Sequence, residues 1–101
     1  MSGDAYMFVY DGSRTGEAAM LPGWELRTDA DGNYAARGHG ALQGVIVPVR
    51  SHELGALDDR EAQDGFARAI AMIDIAGKRT WAFFYTRTSD WRDRRVLRMA
   101  V

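Results

Sequence analysis

Residues 80–86, Thr80-Trp81-Ala82-Phe83-Phe84-Tyr85-Thr86, are apolar at both parities: Trp81, Phe83 and Tyr85 alternate with Ala82 and Phe84. Successive side chains of a strand point to opposite faces, so this strand must be covered on both sides. In a chain of 101 residues that leaves a small barrel, or a sheet covered by helices. Gly77-Lys78-Arg79 reads as a turn, and the apolar, partly β-branched run before it reads as the hairpin partner over 66–76. That run also holds ordinary helix formers, so a helix over Phe66–Ile75 is the competing reading.

The remaining segments fit the same picture. Residues 5–10, Ala-Tyr-Met-Phe-Val-Tyr, read as a buried strand stopped by Asp11-Gly12-Ser13. Residues 15–21 suggest one helical turn, punctuated by Pro22-Gly23. Trp24–Thr28 alternates like a half-buried strand, 29–33 is a turn, and 34–37 a short return strand. Gly38-His39-Gly40 reads as flexible, and a loop histidine between glycines is more often neither ligand nor base. Val45–Val49 is a strand whose Pro48 marks an edge or an exit. Ser51 is a suitable N-cap for a short helix over 51–59, with Leu54 and Leu57 on one side and Asp58-Asp59-Arg60-Glu61 closing it with charge. The expected fold class is α+β: a small mixed, mostly antiparallel, barrel-like sheet with one or two short helices, in a single domain over 1–101.

Composition removes several kinds of chemistry. With no cysteine, disulfides, thiolate catalysis and cysteine zinc sites are excluded. Two histidines argue against a structural zinc site. Asp29 and Asp31 match the start of a calcium loop, but its twelfth position is Gly40 where a glutamate is required, so no metal is expected. Thirteen basic against 14 acidic residues give a net charge of −1, which argues against a nucleic-acid partner. No apolar run approaches the ~18 residues of a membrane span. Met1–Asp4 carries no secretory signal features, so no membrane association and a cytoplasmic location are expected. Arg87, Arg92, Arg94, Arg95 and Arg98 read as a solvated terminal segment rather than an anion site.

The order of the segments resembles the γ-glutamylcyclotransferase-like family. Phe8-Val9-Tyr10-Asp11-Gly12-Ser13-Arg14 resembles the family's first strand and its Tyr-Gly-Thr/Ser-Leu-Arg-type loop. Met20-Leu21-Pro22-Gly23-Trp24-Glu25-Leu26 and Gly44-Val45-Ile46-Val47-Pro48-Val49 follow in family order. Leu57-Asp58-Asp59-Arg60-Glu61 is similar to its Leu-Asp-x-x-Glu helix. Phe66-Ala67-Arg68 and Trp81-Ala82-Phe83-Phe84-Tyr85 resemble its later strands. The likeness spans roughly residues 6–86, and its specificity lies in the order of five weak signals. Asp11 departs from the pattern, standing where the family has a loop glycine.

The resemblance implies release of 5-oxoproline from a γ-glutamyl amine or peptide, a cyclotransferase reaction of acyl-transfer or lyase type. It needs no metal or organic cofactor and takes a small-molecule γ-glutamyl ligand as its partner. Glu61 is implied as the general acid and base, a role that fits a carboxyl whose pKa is raised by burial. Tyr10, Asp11, Gly12, Ser13 and Tyr85 are implied as substrate-binding. Read from the residues alone, Glu61 is a solvated helix-end carboxylate paired with Arg60 or Arg68, 10–13 a plain strand ending, Asp58 a surface charge, and Tyr85 either a pocket hydroxyl or a packing residue. Phe8, Trp81, Phe83 and Phe84 are expected in the core. Asp11 is expected to face inward and repel a free α-carboxylate. The alternative reading is a non-catalytic binding module of the same fold that sequesters a small ligand or docks a protein. The sequence leaves substrate identity and oligomeric state open.

Overall fold

A computed structural model describes residues 5–87. Arg92, Arg94, Arg95 and Arg98, read above as part of a solvated segment, lie outside the described residues. Five strands, β1 (Ala5–Val9), β2 (Glu17–Asp29), β3 (Gly32–Val49), β4 (Phe66–Ile75) and β5 (Lys78–Arg87), close into a barrel in the order β1-β3-β2-β4-β5. One helix, α1 (Leu54–Gln63), follows a 3-10 turn at Ser51–Glu53. All strand pairs are antiparallel except β1 with β5, which meet in parallel at Met7 and Phe83. The α+β reading with a mixed, mostly antiparallel barrel-like sheet therefore holds. No helix among the described residues is long and apolar enough to cross a membrane.

The two-sided strand is covered as its composition demands. On one face of β5, Ala82 and Phe84 join Phe8, Leu21, Trp24, Ile46, Ala69 and Ile73 inside the barrel. On the other, Phe83 and Tyr85 join Met7 and Val49 under Leu54 and Leu57 of α1. β4 follows the same rule: Ala69 and Ile73 point in, Phe66 and Ile70 point to the helix side. The strand reading of 66–75 is correct because those apolar residues divide with period 2 between two cores. Trp81 departs from the expectation, at 58% exposed; α1 covers only the later part of β5. The β4–β5 turn is Ala76-Gly77, since Ile75 pairs with Lys78. Both turn residues have positive φ, 52° and 83°, the type I′ geometry that matches strand twist.

Three local readings are corrected. Residues 17–21 belong to β2, not to a helical turn; Ala19 and Leu21 point into the barrel at strand spacing, so pairing with β3 overrides the helical propensity of Glu-Ala-Ala-Met-Leu. Pro22-Gly23 makes a register shift within β2, with Gly23 at φ 83°, rather than ending it. Residues 34–37, the glycine segment 38–40 and 45–49 are all parts of β3. Pro48 lies at the exit of that strand, one residue from its end.

The helix is longer than 51–59. Arg50 is the N-cap, and its N–H is taken by the Glu53 carboxylate at 3.0 Å, so Ser51 does not cap. The acidic run continues the helix because Arg60, Glu61, Ala62 and Gln63 are good helix formers. The stop is Asp64-Gly65: Gly65 has φ 81° and gives its N–H to Ala62 O at 3.0 Å, a glycine C-terminus. Glu61 thus sits in the last turn of a helix.

Candidate active site

Where β1 ends, the chain turns through Asp11-Gly12-Ser13 beside α1. Gly12 has φ 79°, a conformation glycine takes without cost and other residues rarely adopt. The Asp11 carboxylate accepts the Ser13 N–H at 2.9 Å, an Asx turn that closes the loop on itself. One Asp11 oxygen is thus spent inside its own loop, while the residue still lines the cavity beside α1 and its charge reaches Glu61.

Between this loop and the last turns of α1 lies a cavity of about 750 Å³. Its walls include Tyr10, Asp11, Ser13, Glu61, Tyr85 and Arg87. Five of the six residues named from the sequence therefore meet at one cavity. Gly12 is not a wall residue; it shapes the turn.

The Glu61 carboxyl is raised above the usual carboxylate range. Burial is the main cause, the nearby charges of Asp64 and Asp11 add to it, and Arg60 opposes it. Among the described residues no side chain hydrogen-bonds or pairs with Glu61; Arg68 pairs instead with Asp58 at 3.4 Å. A partly desolvated carboxyl with no fixed partner is free to exchange a proton with a ligand.

Both tyrosines are engaged. The Tyr10 hydroxyl donates to Tyr85 O at 2.7 Å and accepts the Ala35 N–H at 3.1 Å. With Thr86, whose hydroxyl donates to Ala35 O, it staples β3 to β1 and β5. Burial pushes the Tyr10 hydroxyl up to about 12, so it stays protonated as a strut. The Tyr85 hydroxyl donates to Asp58 Oδ1 at 2.7 Å. Burial, then the bond to Asp58, hold its ionisation well above the ordinary tyrosine value. Asp58, one turn before Glu61, is thus not a plain surface charge: Tyr85 and Arg68 hold it from β5 and β4.

Arg87 corrects the tail reading. It is the last residue of β5, 8% exposed, and lies between Phe66 and Tyr34, its guanidinium carbon 4.9 and 5.6 Å from their ring centres. One amino group donates to Asp64 O at 3.0 Å and the other to Asp29 Oδ1 at 3.0 Å. It joins the end of α1 to the tip of the β2–β3 hairpin, which supplies Asp31 and Asn33 to the cavity wall. Strand parity was the available signal: 83, 85 and 87 share the face that α1 covers.

No protein-family model and no curated protein sequence matches this chain. Solved structures do. A γ-glutamyl cyclotransferase superposes with TM-score 0.68 at 15% identity, over 84% of this chain and 67% of that one. An uncharacterized protein from Homo sapiens gives 0.69 at 16%, over 85% and 68%. A protein from Arabidopsis thaliana gives 0.71 at 18%, over 95% and 83%. The chain has the γ-glutamylcyclotransferase-like fold.

Proposed function

We propose that this protein is a cyclotransferase-type enzyme that releases 5-oxoproline from a γ-glutamyl amine or peptide, with Glu61 as general acid and base. The observation that carries the reading is Glu61 itself: a carboxyl raised by burial, without a partner among the described residues, on the wall of a 750 Å³ cavity opposite the 10–13 loop. The likeness in fold to a γ-glutamyl cyclotransferase supports it.

The substrate's α-amine attacks its own γ-carbonyl carbon. One C–N bond forms, closing the five-membered ring, and the γ-amide C–N bond breaks. Glu61 takes a proton from the attacking nitrogen and returns one to the departing nitrogen, so no water is consumed. The attack is intramolecular, and the protein's task is to hold one folded conformer in a cavity. A carboxyl raised toward the working pH serves both transfers better than an ordinary one. The loop supports the glutamyl end through backbone N–H groups other than that of Ser13, which is spent on Asp11.

The test is an assay for 5-oxoproline on a panel of γ-glutamyl amines and γ-glutamyl dipeptides. Wild type is expected to turn over at least one of them. Glu61→Gln keeps shape but carries no proton, so the rate should fall by about 10²-fold or more with an unchanged circular dichroism spectrum. Unchanged turnover in the Gln variant makes Glu61 a bystander, and no turnover of any panel member by wild type overturns the reading.

A further inference from the structure

A tyrosine hydroxyl has one proton to give and two lone pairs with which to accept. At Tyr85 the proton is already committed. Its oxygen lies 2.7 Å from Asp58 Oδ1, and a carboxylate oxygen has no proton of its own, so the shared proton belongs to Tyr85. Arg68 stands 3.4 Å from the other oxygen of Asp58 and its guanidinium carbon is 6.0 Å from the centre of the Phe83 ring. The carboxylate is therefore held from two strands and is not free to swing away. Tyr85 is itself 7% exposed and lines the cavity that Glu61 also lines, and the Glu61 charge reaches its hydroxyl.

We infer that Tyr85 meets the ligand as a hydrogen-bond acceptor only, and that Asp58 is the positioning residue that makes it so. The ligand must then present an N–H, or another donor, at Tyr85; a carbonyl, ether or carboxylate oxygen there meets lone pairs and is disfavoured. The inference names the orientation of the ligand in the cavity read above as the active site: its nitrogen end lies at Tyr85 and Glu61. It rests on that cavity being the ligand site, but not on catalysis.

The probe is a pair of non-reacting ligands, 5-oxoproline and its ring-oxygen isostere 5-oxotetrahydrofuran-2-carboxylate. They differ only in a ring N–H that donates against a ring oxygen that accepts. Calorimetric titration of the whole chain should give at least about tenfold tighter binding of the lactam, the scale of one hydrogen bond lost to an unpaired polar contact. Tyr85→Phe should bring the ratio near one. Asp58→Ala releases the Tyr85 proton to turn into the cavity, so it too should collapse the ratio, with the fold checked by circular dichroism. A merely structural Asp58 would weaken both ligands by the same factor and leave the ratio intact. Equal affinities in wild type, a preference for the lactone, a ratio that survives Tyr85→Phe, or no binding of either ligand overturns the inference. The two readings fail separately: turnover of γ-glutamyl substrates without the preference sinks only the donor rule, and the preference without turnover sinks only the cyclotransferase.

Discussion

Glu61 joins a catalytic argument to a stability argument. A carboxyl raised above its ordinary value of 4.5 gives up its proton less readily folded than unfolded. Above that value the unfolded chain therefore binds fewer protons, and folding stability falls as pH rises through the window between the unfolded and folded values. Below it, both states are protonated and the penalty vanishes. Glu61→Gln removes the penalty, so its thermal midpoint should exceed that of wild type at pH 7, with the gap closing toward pH 4. A variant less stable than wild type at pH 7 shows that Glu61 is stabilised by contacts rather than strained by burial. Glu61 stood out in the sequence through its family-like spacing from Leu57. Its environment did not, because Asp64 and Asp11 reach it across a turn and across space. Asp58 was misread for the same reason: its partners Tyr85 and Arg68 lie 27 and 10 positions away, on other elements.

At the scale of elements, a close backbone approach predicts a costly substitution. Gly44 of β3 faces the strand that carries the loop: a Cβ there would lie 2.5 Å from Val9 O and 2.8 Å from the Phe8 ring. Gly44→Ala should cost about 1–3 kcal/mol as an overpacked contact, read from denaturant midpoints; a neutral result means β1 can shift outward. The β4–β5 turn has room for improvement. Ala76 holds φ 52°, a strained conformation for alanine and an accepted one for asparagine in a type I′ turn. Ala76→Asn should therefore stabilise by about 0.5–1 kcal/mol, seen as a raised thermal midpoint. The β4–β5 hairpin was readable because both partners are local and strongly apolar. The 15–21 segment was not, because the strand character of 17–21 comes from pairing with residues 42–46 far along the chain. Nor was the full helix, since a run of charges was taken for an end when the stop is Gly65.

The molecule as a whole is closed around its cavity by Arg87, which ties the last turn of α1 to the β2–β3 hairpin tip while both contribute to the wall. Arg87→Leu keeps part of the contact with Phe66 and Tyr34 but loses both hydrogen bonds. It should cost about 1–2 kcal/mol of unfolding free energy, a modest figure because its partner Asp29 is partly solvated. 5-Oxoproline affinity should weaken with it; unchanged affinity would mean that the wall stands without the strut. The sequence by itself determined that the strand over 80–86 is covered on both faces, which leaves a small barrel or a helix-covered sheet. Glu61 and the 10–13 loop stood out only through their resemblance to the family's motifs. Only the tertiary structure decided that Tyr10 is a strut and that Arg87 is buried. Those properties are set by which neighbour satisfies each polar group, and the neighbours come from segments that barrel closure brings together.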